Sequence, residues 1–267
     1  MTPRQSFFTC LQRSPPALFE AALWIAAEHD SEVNPHMLLE NFKTLRQRIS
    51  GSLPMLPVGE LAQPLLRCMN DLGFAQDDST PLRAQAALLH RVLERRRGQP
   101  LALGLIALEL ARGLEIPLVG VNFPGHFLLR VPGADHLLDP CGGRRLYPND
   151  CRELLHRQYG PEMKLSADHL STAEPLQMLQ RLSRNLRQLH LANDDYIGAL
   201  IDAERVLELG NGTTADYLAR ASLYQRLECP NAERFDLEHA LMLTDDPIQR
   251  IRLTERLGHL PPNSIVH

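Results

Sequence analysis

The stretch PGHFLLRVPGADHLLDP, Pro124 to Pro140, carries a histidine at one end and an aspartate at the other. His126 precedes the apolar run FLLRV and Asp139 closes the run HLLD. Between them Pro132-Gly133-Ala134-Asp135 has the composition of a turn. A hairpin turning on Pro132 and Gly133 would set His126 across from Asp139. An aspartate that orients a histidine fixes its tautomer and stabilises the imidazolium, which is one half of acyl-transfer chemistry. The other half is a nucleophile. Without one, the plainer reading of the pair is a structural hydrogen bond at the base of a hairpin.

The candidate nucleophiles are few. Five cysteines, Cys10, Cys68, Cys141, Cys151 and Cys229, are scattered and form no CxxC pair. Cys141 follows Asp139 by two residues, so strand alternation would put it on the same side; a small inert core residue is its plainer reading. Cys151 lies near an expected helix start, and the other three have no histidine or aspartate partner that sequence can indicate. Other polar groups point to no second chemistry. His29 and His36 flank Asp30 and Glu32 without a metal-ligand spacing, and His136 reads as a surface strand residue. The arginines of ERRRG suit a helix C-terminus. Neither a phosphate loop nor a dinucleotide fingerprint occurs. No metal or cofactor is expected.

The elements that must hold these residues can be read from periodicity. Residues 1–95 have helical spacing: Leu18, Ala21, Ala22, Ile25 and Ala26 with Pro16 in the first turn, then a helix opening at Asn34-Pro35. Leu61, Leu65, Leu66 and Met69 mark a third helix stopped by Gly73, and Pro81 opens a fourth through Leu93. Gly98 reads as its stop and Pro100 as the first residue of the next. That next helix, Leu101 to Leu114, is apolar on nearly every face and is expected at the centre of its domain, with Gly104 marking close approach of a strand. Pro117–Asn122 reads as a strand, and short strands continue to Leu146; Asp150 is expected to cap a helix. After a polar connection, residues 160–174, the chain is helical again from Pro175 and repeats itself. VLEL at Val206–Leu209 returns as ALML at Ala240–Leu243, 34 residues on, the period of tetratricopeptide repeats. GHLPPNSIVH reads as a loose tail.

Composition narrows the function classes. The 267 residues are 44% hydrophobic with a net charge of −4, which gives no electrostatic reason to expect nucleic acid or a membrane surface as partner. No secretory signal or membrane-length apolar run occurs, and dispersed free cysteines suit a reducing compartment, so the expected location is the cytoplasm.

The run RRGQPLALGLIALELARGLEIPLVGVNFPGHFLLR, followed by HLLDPCGG, resembles the transglutaminase-like core, and within it the bacterial SirB family, in which tetratricopeptide repeats follow that core. The resemblance implies an α+β fold: a mainly helical lobe (residues 1–95), a transglutaminase-like or papain-like helix-plus-sheet core (96–160) and an all-α repeat unit (175–260). In active enzymes of this kind a cysteine heads the central helix, where the helix N-terminus depresses a thiol pKa. By the resemblance His126 would be its base and Asp139 the orienter. At that helix head this chain has Pro100, and no Cys, Ser or Thr occurs from Gly98 to Gly113. The expectation is a non-catalytic protein- or peptide-binding module whose groove involves Pro100, Asn122, His126 and Asp139. The alternative is a cysteine-dependent amide-bond enzyme, whether protease, deamidase or acyltransferase, with Cys141 as a displaced thiol.

Overall fold

The computed structural model describes residues 1–210 and 212–261. The chain forms two compact units, Met1–Leu182 and Ser183–His267. The first is α+β. Its helices are α1 (Pro3–Leu11), α2 (Leu18–His29), α3 (Pro35–Ser50), α4 (Ala62–Asp71), α5 (Leu89–Arg95), α6 (Pro100–Gly113), α7 (Pro148–Tyr159) and the start of α8 (Pro175–Leu191). A two-residue parallel pair joins β1 (Ala75–Gln76) to β2 (Arg97–Gly98). The main sheet is an antiparallel meander of β3 (Val119–Val121), β4 (Leu128–Arg130), β5 (Leu137–Leu138) and β6 (Arg145–Leu146). Among the described residues no helix is long and apolar enough to cross a membrane.

Local chemistry accounts for several element starts. Asn34 accepts the Met37 N–H at 3.2 Å to open α3, and Pro35 takes the first helical position, where its missing N–H costs nothing. Pro100 does the same for α6. The all-round apolar character of α6 is matched by burial of Leu101 through Ala107, Leu110 and Ala111, while Glu109 and Arg112 pair with each other. Gly104 gives its space to the Phe127 ring: a Cβ there would stand 2.5 Å from Cε1. From the other side Gly120 in β3 meets the same ring, its virtual Cβ 2.7 Å from Phe127 Cζ. Phe127 is thus held between two glycines and is fully buried. The other side of the sheet packs Val121, Phe123, Leu128, Leu137 and Leu146 against Cys151 and Leu155 of α7.

Several sequence expectations need correction. Within the helical lobe an additional helix, α1, precedes Leu18, and Thr2 and Gln5 close a reciprocal capping box at its start. Pro16 precedes the N-cap of α2 and is not in its first turn. The fourth helix is broken into a 3₁₀ turn at Ala84–Ala86 and α5. Gly98 does not stop α5; Arg96 does, in the left-handed conformation at φ 57°, and Gly98 belongs to β2. Asp150 is the third residue of α7, and its carboxylate reaches back to the Tyr147 N–H at 2.9 Å.

The second unit holds the remainder of α8 with α9 (Tyr196–Glu208), α10 (Thr214–Arg226), α11 (Pro230–Leu243) and α12 (Pro247–His259). The 34-residue offset seen in the sequence is the offset between the first residues of α9 and α11. Ala199, Ala203 and Leu223 form one apolar cluster; Ala221, Leu237, Ala240 and Leu253 form another. Arginine forks tie the helices together, Arg184 on Asp216 and Arg220 on Asp236. Of the expected tail, Gly258 and His259 end α12, and residues 262–267 lie outside the described residues.

Candidate functional site

Tight turns, not the strand ladder, bring His126 and Asp139 together. Val131–Ala134 is a turn closed by Ala134 N–H on Val131 O at 3.0 Å, with Gly133 at φ 84°. A two-residue hairpin on that centre would set Leu129 opposite His136; the observed partner of Leu129 is Leu138. Pro followed by a positive-φ Gly is a type II arrangement, whose twist does not match that of a hairpin, and extra residues on the returning strand absorb the mismatch. His126 itself ends a second Pro-Gly turn, its N–H on Phe123 O at 3.2 Å and Gly125 at φ 70°. Asp139 opens a third: Gly143 N–H bonds its carbonyl, and Cys141 N–H bonds its carboxylate at 2.8 Å. Gly143 needs its glycine twice over, for φ 74° and because a Cβ would lie 2.9 Å from Leu66 Cβ.

The result is an imidazole facing a carboxylate. His126 Nε2 lies 3.5 Å from Asp139 Oδ1, long for a hydrogen bond, and Nε2 is buried with no hydrogen-bond partner among the described residues. The contact is therefore chiefly electrostatic. Burial pushes the Asp139 carboxyl up, but His126 and the Cys141 N–H outweigh it, and the net shift is below the usual carboxylate range. Cys141 goes the other way. Burial, then the neighbouring Asp139 and Asp78 charges, push its thiol far above the ordinary range. A thiol so placed stays protonated at neutral pH and is a poor nucleophile.

The head of α6 offers no replacement. Pro100 is half-buried there, behind a Gln99 N–H bonded to Ala86 O at 2.7 Å. The Cys10 thiol is raised to about 12 by burial first and by Glu20, and burial also raises Cys68 and Cys151. Asn122 is engaged in an unforeseen way. Its Oδ1 accepts Arg181 Nη1 at 2.7 Å, and the same nitrogen donates to Phe123 O at 2.8 Å. Burial draws the Arg181 guanidinium below the ordinary arginine value, Tyr159 opposing. Sequence reading missed Arg181, 59 residues from Asn122, and no local signal marks it.

The remaining polar residues have structural work. Arg95 pairs with Asp77 at 2.8 Å, and Arg96 donates to Leu72 O while lying over the Phe74 ring. His136 Nδ1 is 2.9 Å from Asp135, and His36 stands edge-on to Trp24.

Comparison with known proteins agrees with this architecture. A model of the transglutaminase-like superfamily matches residues 36–184. A UPF0162 protein of Pseudomonas aeruginosa is 58% identical over 98% of this chain and 97% of its own length. Protein SirB1 of Salmonella typhimurium is 26% identical over 72% of this chain and 73% of its own, and the UPF0162 protein YchA of Escherichia coli is 25% identical over 74% and 75%. The chain belongs to the transglutaminase-like superfamily, in the UPF0162/SirB family.

Proposed function

We propose that this chain is a non-catalytic transglutaminase-like protein that acts in the cytoplasm by binding a protein or peptide. One observation carries the reading: the helix head that would present a thiol presents Pro100, while the nearest thiol to the dyad in sequence, Cys141, is held protonated by burial and by two carboxylates. The His126–Asp139 pair then shapes a recognition groove with Asn122, and the helical array, read as tetratricopeptide-like, supplies a second interaction surface. Binding in such a groove is sequence-selective and needs no covalent step.

The test has two arms. Panning a displayed peptide library on the full-length protein should enrich a motif whose binding weakens when Asn122 or His126 is replaced by alanine. Incubation with a glutaminyl peptide and an amine should release no ammonia, and an electrophilic thiol probe should label no cysteine selectively at neutral pH. Ammonia release lost in Cys141→Ala would replace this reading with the amide-bond enzyme.

A further inference from the structure

A second concavity lies within the helical lobe of the first unit. It opens between α3 and α5, which both pack on α2. Leu38, Phe42 and Leu45 recur four and three residues apart, so they share one face of α3. His90 and Leu93 of α5 line the other wall, and Phe74, the residue before β1, completes the lining. The space is about 270 Å³. Leu38, Leu45 and Leu93 are half-buried, so this aliphatic surface is neither packed away nor fully solvated. Small-molecule pockets start near roughly 300 Å³, so a single substituted ring is the size that fits.

His90 brings unmet polar capacity to this wall. It is 9% exposed, and neither ring nitrogen has a hydrogen-bond partner among the described residues. Its Nε2 lies 3.5 Å from Asp30 Oδ2, long for a hydrogen bond yet close enough to favour the proton on that nitrogen. Nδ1 is then left as an acceptor. Burial first, and Arg91 next, hold the imidazole below its ordinary value against Asp30 and Glu94, so the ring is neutral at neutral pH. The charged neighbours are already committed. Arg91 donates to Asp30 at 3.2 Å and to Glu94 at 3.0 Å, while Arg96 donates to Leu72 O and lies over the Phe74 ring. Asn41, at the edge of the cavity, is exposed.

We infer that this cavity binds a small uncharged molecule with an aromatic body and one hydroxyl, the hydroxyl donating to His90 Nδ1. Phe42 and Phe74 give the body aromatic neighbours. The hydroxyl supplies the donor that the buried imidazole lacks. A carboxylate would instead bring an acceptor to an acceptor, beside the Asp30 charge. An ammonium would shed its water among leucines, with Arg91 and Arg96 close by. The cavity shares no residue with the proposed His126 groove, so the inference stands or falls whatever that groove binds.

The test is NMR titration of the full chain with para-ethylphenol and with para-ethylanisole, the same molecule with its hydroxyl methylated. The phenol should shift the methyl resonances of Leu38, Leu45 and Leu93 and the ring resonances of His90. It should bind about tenfold more tightly than the ether, the worth of one buried hydrogen bond. In His90→Phe, which keeps a ring in the same place, the two molecules should bind alike. Leu45→Phe narrows the cavity and should abolish the phenol's shifts at Leu38 and Leu93, a readout that remains should His90→Phe not fold. Any of four results overturns the inference. The cavity methyls do not shift in millimolar phenol; the phenol and the ether bind the unmodified chain equally; the preference for the phenol survives undiminished in His90→Phe; or Leu45→Phe binds the phenol unchanged, which places it elsewhere.

Discussion

Filling the space at Gly104 should destabilise the first unit although it improves the helix. In an exposed α6 position, Gly→Ala would gain about 1 kcal/mol of helix propensity. Here the new methyl would stand 2.5 and 2.6 Å from Phe127 Cε1 and Cδ1, well inside carbon–carbon contact. Retreat of the ring is restricted, because Gly120 stands against its far side with the Met178 sulfur close by. Overpacking of this kind costs typically about 1–3 kcal/mol, and with retreat restricted the upper end applies, so the net loss should be about 2 kcal/mol. For a unit of this size that is a fall of about 4–8 °C in midpoint. Trp24, the single tryptophan, lies in α2 and reports the first unit by fluorescence during urea unfolding. Phe127→Leu should cost stability alone yet relieve Gly104→Ala, giving a cycle with a favourable interaction term. A raised urea midpoint for Gly104→Ala, or strict additivity with Phe127→Leu, would refute the two-glycine clamp.

Other outcomes follow from the electrostatics. Asp216 is held at about 2, because the Arg184 fork and Thr213 outweigh the opposing effect of burial. A depressed carboxylate contributes stability above its unfolded value and loses it as pH falls, so about 2 kcal/mol should vanish between about pH 4 and 2, and Asp216→Asn should flatten that limb in urea titrations. Burial first, and Arg91 next, hold the His90 imidazole below its usual value against Asp30 and Glu94. The folded state then binds fewer protons than the unfolded, so stability falls as pH drops below about 6.5, and His90→Leu should remove that slope in Trp24 fluorescence. Pro100→Cys should install a thiol at a helix N-terminus that alkylates at neutral pH faster than Cys141, as mapped by mass spectrometry; equal or slower labelling would count against the helix head as the vacated nucleophile position.

Periodicity made the helices around the site legible because their burial stripes are local properties of the chain. The apolar run after Pro100 told its own depth, and Asn34-Pro35 told its own start. Elements decided by one backbone conformation were not legible: Arg96 ends α5 in a left-handed conformation that Gly98 advertised more plainly. The His126–Asp139 approach was readable, but for an incomplete reason. The turn stands where the residues place it, while the ladder beyond it is displaced, and the two side chains meet because His126 ends one tight turn and Asp139 opens another. Arg181 was invisible because its partners, a side-chain oxygen and a carbonyl 59 and 58 residues away, leave no pattern in the residues around it.

Asp139 has two obligations, and only one concerns His126. Its carboxylate also receives the Cys141 N–H, and its carbonyl the Gly143 N–H, so it is the cornerstone of the bend between β5 and β6. Replacing it costs the bend its side-chain acceptor for the Cys141 N–H whether or not the chain performs catalysis. A histidine–aspartate pair can thus be kept for the bend it builds as well as for a reaction, as a doorframe serves the wall as much as the door. The pair alone therefore does not report activity; the residue at the helix head is the informative position.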